Sequence, residues 1–185
     1  MEKIYVTADE LLRDSFELGL RVYESGFRPS FIVGVWRGGA PIGIAVQEVL
    51  DHYGVRNDHI AIRTASYVRP GEQANTVRVF GLNYIIDNID ADDQLLIVDD
   101  TFDSGRSIDA VITEIERKCR RNTPTEIRVA TVFFKPALNR TSREPDYFIH
   151  QTDRWIVFPH EIHGLTSEEI ARHKIHPGID RAKPS

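Results

Sequence analysis

Residues 95–107 read Leu-Leu-Ile-Val-Asp-Asp-Thr-Phe-Asp-Ser-Gly-Arg-Ser: four aliphatic residues run into a segment with three carboxylates, three hydroxyl side chains and a glycine. An apolar strand that breaks into a loop and then opens a helix presents free backbone N–H groups under the positive end of the helix dipole. That is an anion-binding arrangement. Thr101, Ser104 and Ser107 can add hydroxyl donors, and Gly105 lets the backbone approach a phosphate closely. Asp99 and Asp100 carry the wrong sign for phosphate; sugar hydroxyls or a magnesium-bound group are their natural partners. One ligand bearing phosphate, diol and metal would use every one of these groups. The bland alternative is a capped turn whose acids only solvate a strand end.

The elements that must position this stretch are legible on either side of it. Thr7-Ala8-Asp9-Glu10 forms a capping box, from which a helix runs to about Gly26 with Leu11, Leu18 and Val22 on its apolar stripe. Phe31–Val35 is a short apolar strand, followed by Trp36-Arg37-Gly38-Gly39-Ala40 and a helix that Pro41 suits. The same strand–loop–helix unit recurs from Gln94, with the loop over Asp99–Arg106 and a helix carrying Ile108, Val111, Ile112 and Ile115. Further strands are expected at His59–Ala65 and Ile127–Phe134. Continuous apolar strands alternating with amphipathic helices predict an α/β fold, a parallel sheet flanked by helices, with ligands beyond the carboxyl ends of the strands.

Composition limits the function classes. The 185 residues fit one domain, and 28% charged with 41% hydrophobic residues is ordinary globular usage. A formal net charge of −5 argues against broad binding to nucleic acid or an anionic membrane. Cys119 is the single cysteine, so neither an internal disulfide nor a cysteine-rich metal site is available. Its neighbours Arg117, Lys118, Arg120 and Arg121 could lower the thiol pKa, but the residue reads as a passive one on a helix surface. Met1–Val6 lacks the apolar core of a signal peptide, and the expected location is cytoplasmic. The polar Tyr67–Thr76 stretch, with Pro70-Gly71, reads as a long loop or hairpin that could serve as a lid. Residues 87–93 read as an acidic turn without EF-hand chemistry. His160, His163, His173 and His176 match no zinc spacing, and the asparagine-linked glycosylation pattern at Asn139-Arg140-Thr141 reads as meaningless.

Taken whole, the thirteen-residue string resembles the phosphoribosyl-pyrophosphate signature of the type I phosphoribosyltransferases. The similarity extends over residues 3–163. Trp36-Arg37-Gly38-Gly39 stands in the pyrophosphate-loop position, and Lys135-Pro136 and Asp153-Arg154-Trp155-Ile156 follow downstream as in the 6-oxopurine branch, notably the bacterial xanthine-guanine and hypoxanthine enzymes.

The resemblance implies specific roles. Asp99 and Asp100 would attend the ribose hydroxyls and Mg²⁺; Thr101, Phe102, Asp103, Ser104, Gly105, Arg106 and Ser107 would form the 5′-phosphate loop. Asp103 would accept a proton from purine N7. Arg37 and Gly38 would meet the pyrophosphate, with a cis or strained peptide link expected between Trp36 and Arg37. Lys135 would bond the 6-oxo group, Trp155 would stack on the base, and Ile156 would offer its carbonyl to the 2-position. Glu161 is the candidate distal acid for metal and pyrophosphate, and Ser66-Tyr67 would begin the lid.

By themselves Lys135 reads as a surface cation and Trp155 as a core aromatic; only their order and spacing within the larger pattern suggest otherwise. Trp36, Arg106 and Val157 depart from the family's usual residues. The resemblance further implies one domain over 1–165 with a small hood from C-terminal segments, mainly about 135–165, and an extension over 166–185. It implies phosphoribosyl pyrophosphate and a purine base as partners, and a homo-oligomer, dimer or tetramer. Two competing expectations are a non-catalytic regulator that senses a phosphoribosyl ligand, and a phosphoribosyltransferase for another nucleobase.

Overall fold

The four residues Leu95–Val98 are all fully buried, which requires a strand covered on both faces. In the computed structural model, which describes residues 2–67 and 76–174, they lie near the middle of a six-stranded sheet. The chain runs β1 (Lys3–Tyr5), α1 (Ala8–Glu24), β2 (Phe31–Trp36), α2 (Gly39–His52), β3 (Asp58–Tyr67), β4 (Thr76–Phe80), α3 (Asn83–Asn88) and β5 (Gln94–Phe102). It continues through α4 (Arg106–Cys119), β6 (Glu126–Phe134), β7 (Tyr147–Gln151), β8 (Trp155–Val157) and α5 (Ser167–His173).

The large sheet has the order β4-β3-β2-β5-β6-β7. Every neighbouring pair is parallel except β3 and β4, which form an antiparallel hairpin with Tyr67 opposite Thr76. The segment expected to be a loop or hairpin is thus flanked by a paired ladder, while residues 68–75, most of the expected lid, lie outside the described residues.

Because side chains alternate across a strand, β5 feeds two cores. Leu96 and Val98 join Leu18 and Val22 of α1 and Ile42, Val46 and Leu50 of α2. Leu95 and Ile97 join Ile85 of α3 and Ile108, Val111, Ile112 and Ile115 of α4. Each fully buried Leu or Ile contributes roughly 1.5–3 kcal/mol relative to exposure, so β5 is anchored on both sides before it reaches its polar end.

Local signals hold where the chemistry is local. The Thr7 capping box is formed in both directions, and Gly26 follows α1 at φ 85°. The helix after β2 starts at Gly39, leaving Pro41 in the first turn, where a missing N–H breaks no intrahelical bond.

Cys119 requires a correction. It is buried among Ile112, Ile115 and their neighbours, 8% exposed, so it is a core residue and not a helix-surface one. Burial raises its thiol pKa, the opposite of the effect expected from its basic neighbours.

A second, two-stranded parallel sheet pairs β1 with β8 in the register Lys3↔Trp155, Ile4↔Ile156 and Tyr5↔Val157. One of its two strands comes from the N-terminus, a long-range pairing that no local pattern displays. No helix among the described residues is long and apolar enough to cross a membrane.

Candidate active site

In the large sheet, chain order runs one way from β2 to β3 and the other way from β5 to β6 and β7, so the topological switch lies between β2 and β5. Crevices beyond the carboxyl ends of strands at such a switch are where open α/β sheets bind ligands. Both sequence-predicted loops are there: Trp36–Gly38 leaves β2, and Asp103–Gly105 leaves β5.

The β5 loop is shorter than expected. Asp99, Thr101 and Phe102 continue the ladder with Thr131, Phe133 and Phe134 of β6, so the strand runs through Phe102. Phe102 is 1% exposed and meets Phe134 edge to face at 5.8 Å, so it anchors the loop in the core while also lining the cavity beside it. Phe102 O accepts from Lys135 N at 2.9 Å, which brings the end of β6 beside the turn.

Gly105 stands at φ 75° as the N-cap of α4. A Cβ there would lie 2.6 Å from Thr141 Oγ1 and 2.9 Å from the Phe102 ring, so glycine is required both by conformation and by space. Asp99, Thr101, Phe102, Asp103, Ser104, Gly105, Ser107 and Ile108 line a small open cavity of about 70 Å³ in front of the α4 N-terminus, with Arg106 and Ser107 as its first two helical residues. A concavity lined by free amides and hydroxyls can hold an anion.

Asp99 and Asp100 diverge. Adjacent strand residues point to opposite faces: Asp99 lines the cavity before α4, whereas Asp100 packs on the β2 loop, its Oδ2 only 1.6 Å from where a Cβ on Gly38 would sit. Gly39 is equally confined, with a Cβ position 2.3 Å from Val98 O. The adjacent Trp36–Arg37 peptide bond is cis, as the resemblance led us to expect.

Burial holds the Asp99 carboxyl well above its usual range, reinforced by the neighbouring Asp100 charge. Asp100 is raised to about 6, first by burial and then by the charge of Glu161, with Arg37 acting in the other direction. Glu161 is thereby brought into the same neighbourhood; its Oε2 accepts from Phe158 N at 3.1 Å.

The remaining expected residues lie on other elements of the fold. Lys135 follows β6 and is half-buried. Asp153 Oδ1 accepts from Ala137 N at 3.2 Å, tying the turn after Lys135 to the turn before β8. Trp155 opens β8 and is 56% exposed, while Ile156 is buried in the core below the hood. Ser66 lies exposed on β3 in the ladder with β4.

Sequence reasoning missed the segment 139–143. Arg140 N donates to Ser104 O at 3.0 Å, and Thr141 packs over Gly105. Asn139 shapes this turn, accepting from Thr141 N at 3.0 Å and donating to Arg143 O at 2.9 Å. The available signal was Asn139 two residues before Thr141, an Asx-turn pattern read only as a glycosylation site.

A mostly parallel sheet with an open strand-to-helix turn at its switch point, paired acids beside it and a second small sheet define an α/β protein whose ligand site is expected at that switch. The phosphoribosyl transferase domain profile matches residues 6–163, and the chain belongs to that family, with its type I fold. Among solved structures it is similar to a purine phosphoribosyltransferase from Pyrococcus horikoshii Ot3, with 29% identity over 90% of this chain and 99% of that one and a TM-score of 0.68. A Helicobacter pylori xanthine-guanine-hypoxanthine phosphoribosyltransferase is 22% identical, over 85% and 92%, with a TM-score of 0.66. A Neisseria gonorrhoeae protein with bound ppGpp is 19% identical, over 93% and 95%, with a TM-score of 0.73. No curated protein sequence matches the chain.

Proposed function

We propose that the protein is a magnesium-dependent purine salvage enzyme that transfers ribose 5-phosphate from phosphoribosyl pyrophosphate to N9 of hypoxanthine, guanine or xanthine, releasing pyrophosphate. The observation that carries this reading is the divergence of the acid pair: Asp99 faces the anion cavity and Asp100 faces the Arg37–Gly38 loop. One sugar phosphate spanning the β2–β5 switch would meet both.

Thr101, Ser104, Gly105 and Ser107, with the first amides of α4, would hold the 5′-phosphate. Arg37 and the Gly38 backbone would orient the pyrophosphate, and preorganised charge of this kind acts on the departing group. In the reaction the C1′–O bond to pyrophosphate breaks, the C1′–N9 bond forms, and the proton leaving purine N7 passes to Asp103. Lys135 would donate to the 6-oxo group, which disfavours a 6-amino base by mispairing polar groups. Trp155, largely exposed on the hood, is available to stack on the purine, and the Ile156 carbonyl would meet its 2-position.

The donor set fits Mg²⁺. Asp99, Asp100 and Glu161 are hard oxygen ligands, and the raised Asp100 carboxyl is one that a nearby cation would return to its charged form. Among the described residues no group of three potential ligands is gathered on one point, so the ion would have to draw on one or two of these carboxylates together with substrate oxygens. When bound, Mg²⁺ supplies charge neutralisation at the leaving pyrophosphate.

The test is to mix protein, Mg²⁺ and phosphoribosyl pyrophosphate with hypoxanthine, guanine, xanthine, adenine or uracil and to measure nucleotide and pyrophosphate. Product with the 6-oxopurines and little with adenine or uracil is expected. Product with another base alone assigns a different acceptor, and donor binding without turnover assigns a ligand sensor. Assembly as a dimer or tetramer belongs to the same proposal and is checked by sedimentation.

A further inference from the structure

The segment after the hood, Thr166–Lys174, belongs to none of the motifs above, yet it is fastened to the hood at several points. Thr166 and Glu169 cap α5 reciprocally. Glu169 Oε1 also accepts from Lys3 Nζ at 2.5 Å and from Tyr5 Oη at 2.7 Å. The His173 ring stacks on Tyr5, with centroids 3.6 Å apart and planes within 10°. In-register pairing puts Lys3 and Tyr5 on the hood face that also carries Trp155 and Val157. The short helix is therefore bonded to the Trp155 side of the hood.

At the end of this segment Lys174 Nζ donates to Phe158 O at 2.7 Å. The same carbonyl accepts from Glu161 N at 3.0 Å, and Phe158 N donates to Glu161 Oε2 at 3.1 Å. Phe158 and Glu161 thus close a tight turn on themselves, and Lys174 is its one connection to α5 that a side-chain hydrogen bond provides among the described residues. The Lys174 ammonium is also near enough to Glu161 for their charges to attract. The Glu161 charge also reaches Asp100.

We propose that Lys174 is a positioning residue for the Phe158–Glu161 turn, so that the C-terminal helix sets where the Glu161 carboxylate stands relative to Asp100 and the pyrophosphate end of the site. The inference rests on the phosphoribosyltransferase reading for its effect on turnover, but not for the structural coupling itself. A charge-assisted hydrogen bond to a partly buried carbonyl is among the stronger single contacts, and its loss leaves the Phe158 end held by the core and the Glu161 end by the turn's internal bonds. The base side of the site, built on Lys135 and Trp155, is not attached to this turn through Lys174.

The test uses the full chain and two variants. Lys174→Met keeps the aliphatic stem and removes the ammonium; Lys174→Arg keeps a cationic donor. In Lys174→Met, amide exchange over residues 157–162 should quicken about tenfold, the size expected for one lost charge-assisted bond, while exchange in β5 and α4 stays unchanged. KM for phosphoribosyl pyrophosphate should rise about tenfold while KM for the purine stays within twofold, and Lys174→Arg should recover most of both effects. Unchanged exchange over 157–162, an equal rise in both KM values, or no recovery by arginine would overturn the proposal. If the unaltered chain turns over no base at all, the functional reading fails separately, and the exchange arm still decides whether Lys174 holds the turn.

Discussion

Replacing Gly38 by alanine should separate activity from stability. Gly38 has φ −66° and ψ −33°, a conformation any residue adopts, so the backbone itself does not require glycine. Space does. The added Cβ would stand 1.6 Å from Asp100 Oδ2, 2.2 Å from Cγ and 2.9 Å from Cβ. To reach ordinary contact the carboxylate oxygen must retreat from 1.6 Å to 3.4 Å, a displacement of about 1.8 Å. A misplacement of about 1 Å in a reacting constellation can cost about 100-fold, so kcat/KM for phosphoribosyl pyrophosphate should fall at least about 100-fold, or about 2.7 kcal/mol of transition-state stabilisation. The carboxylate end can swing away, but Asp100 Cβ at 2.9 Å is tied to the strand, so the fold bears a smaller part of the strain too. Alanine is a poorer N-cap than glycine by roughly 1 kcal/mol, which lowers Tm by about 2–4 °C in a domain of this size. The assay is pyrophosphate release at varied donor concentration, with thermal unfolding measured on the same preparation. Gly39→Ala is the contrast: its Cβ would meet Val98 O at 2.3 Å and Asp99 Cα at 2.9 Å, backbone atoms of a strand buried on both faces. It should lose stability first. A Gly38→Ala protein with kcat/KM within threefold of the unaltered enzyme and an unchanged Tm would refute the placement of Asp100 in the reacting centre.

Four further outcomes follow from the same geometry. Asp103→Asn should lower kcat more than it raises KM for phosphoribosyl pyrophosphate; equal kcat would remove the proton-acceptor role. Gly105→Ala, which places a β-carbon at φ 75° against Thr141 and Phe102, should cost roughly 1–3 kcal/mol, or about 2–12 °C in Tm by calorimetry. Lys3 and Tyr5 depress the Glu169 carboxyl to about 2. A depressed carboxyl contributes in full above its ordinary value of 4.5, so docking of α5 should weaken as pH falls from about 4.5 towards 2, followed by the Tyr5 ring resonances; resonances constant to pH 2.5 would contradict it. Cys119, buried with a raised thiol pKa, should resist a thiol reagent at pH 8 in the native protein and react fully once the chain is unfolded.

What the sequence made legible, and what it hid, divides along contact range. The α1 capping box, the apolar strands and the α4 stripe involve residues within one turn or one alternation of each other, and each is found where its local pattern puts it. The strand-to-helix turn over Asp103–Gly105 was readable for the same reason, since its hydroxyls and glycine are contiguous. Phe102 was legible only in part: it lies in the polar string that lines the cavity, while only the ladder with β6 and the Phe134 ring show that it also serves the core. Cys119 misled. Its basic neighbours in sequence occupy other faces of the helix end, so their charge says little about where the thiol points. The hood pairing of Lys3–Tyr5 with Trp155–Val157, the lean of Arg140 and Thr141 on the anion loop, and the reach of Lys174 to Phe158 all join segments that no local periodicity connects.

The divergence of Asp99 and Asp100 shows why a two-residue motif can serve two loops. Were the pair on a helix, successive side chains would be about 100° apart and both could share one face; on a strand they are opposed, so a single buried element delivers one acid to each side of the sheet edge. That delivery is useful only where loops from two different strands converge, which in this chain means the β2–β5 boundary, the one place in the sheet where β2 and β5 are neighbours although β3 and β4 intervene in sequence. The requirement then passes back to composition. Gly38 and Gly39 must be small because Asp100 and the end of β5 press directly against them, and β5 must be apolar on both faces so that the helices beneath it fix the strand from which both acids project. An insertion of one residue between Val98 and Asp99 would exchange the faces of the two acids. It should abolish turnover while leaving the two cores below Val98 intact. Near-native far-ultraviolet circular dichroism with loss of pyrophosphate release is the expected result, and retained turnover would show that the opposition of the two carboxylates is not what the site requires.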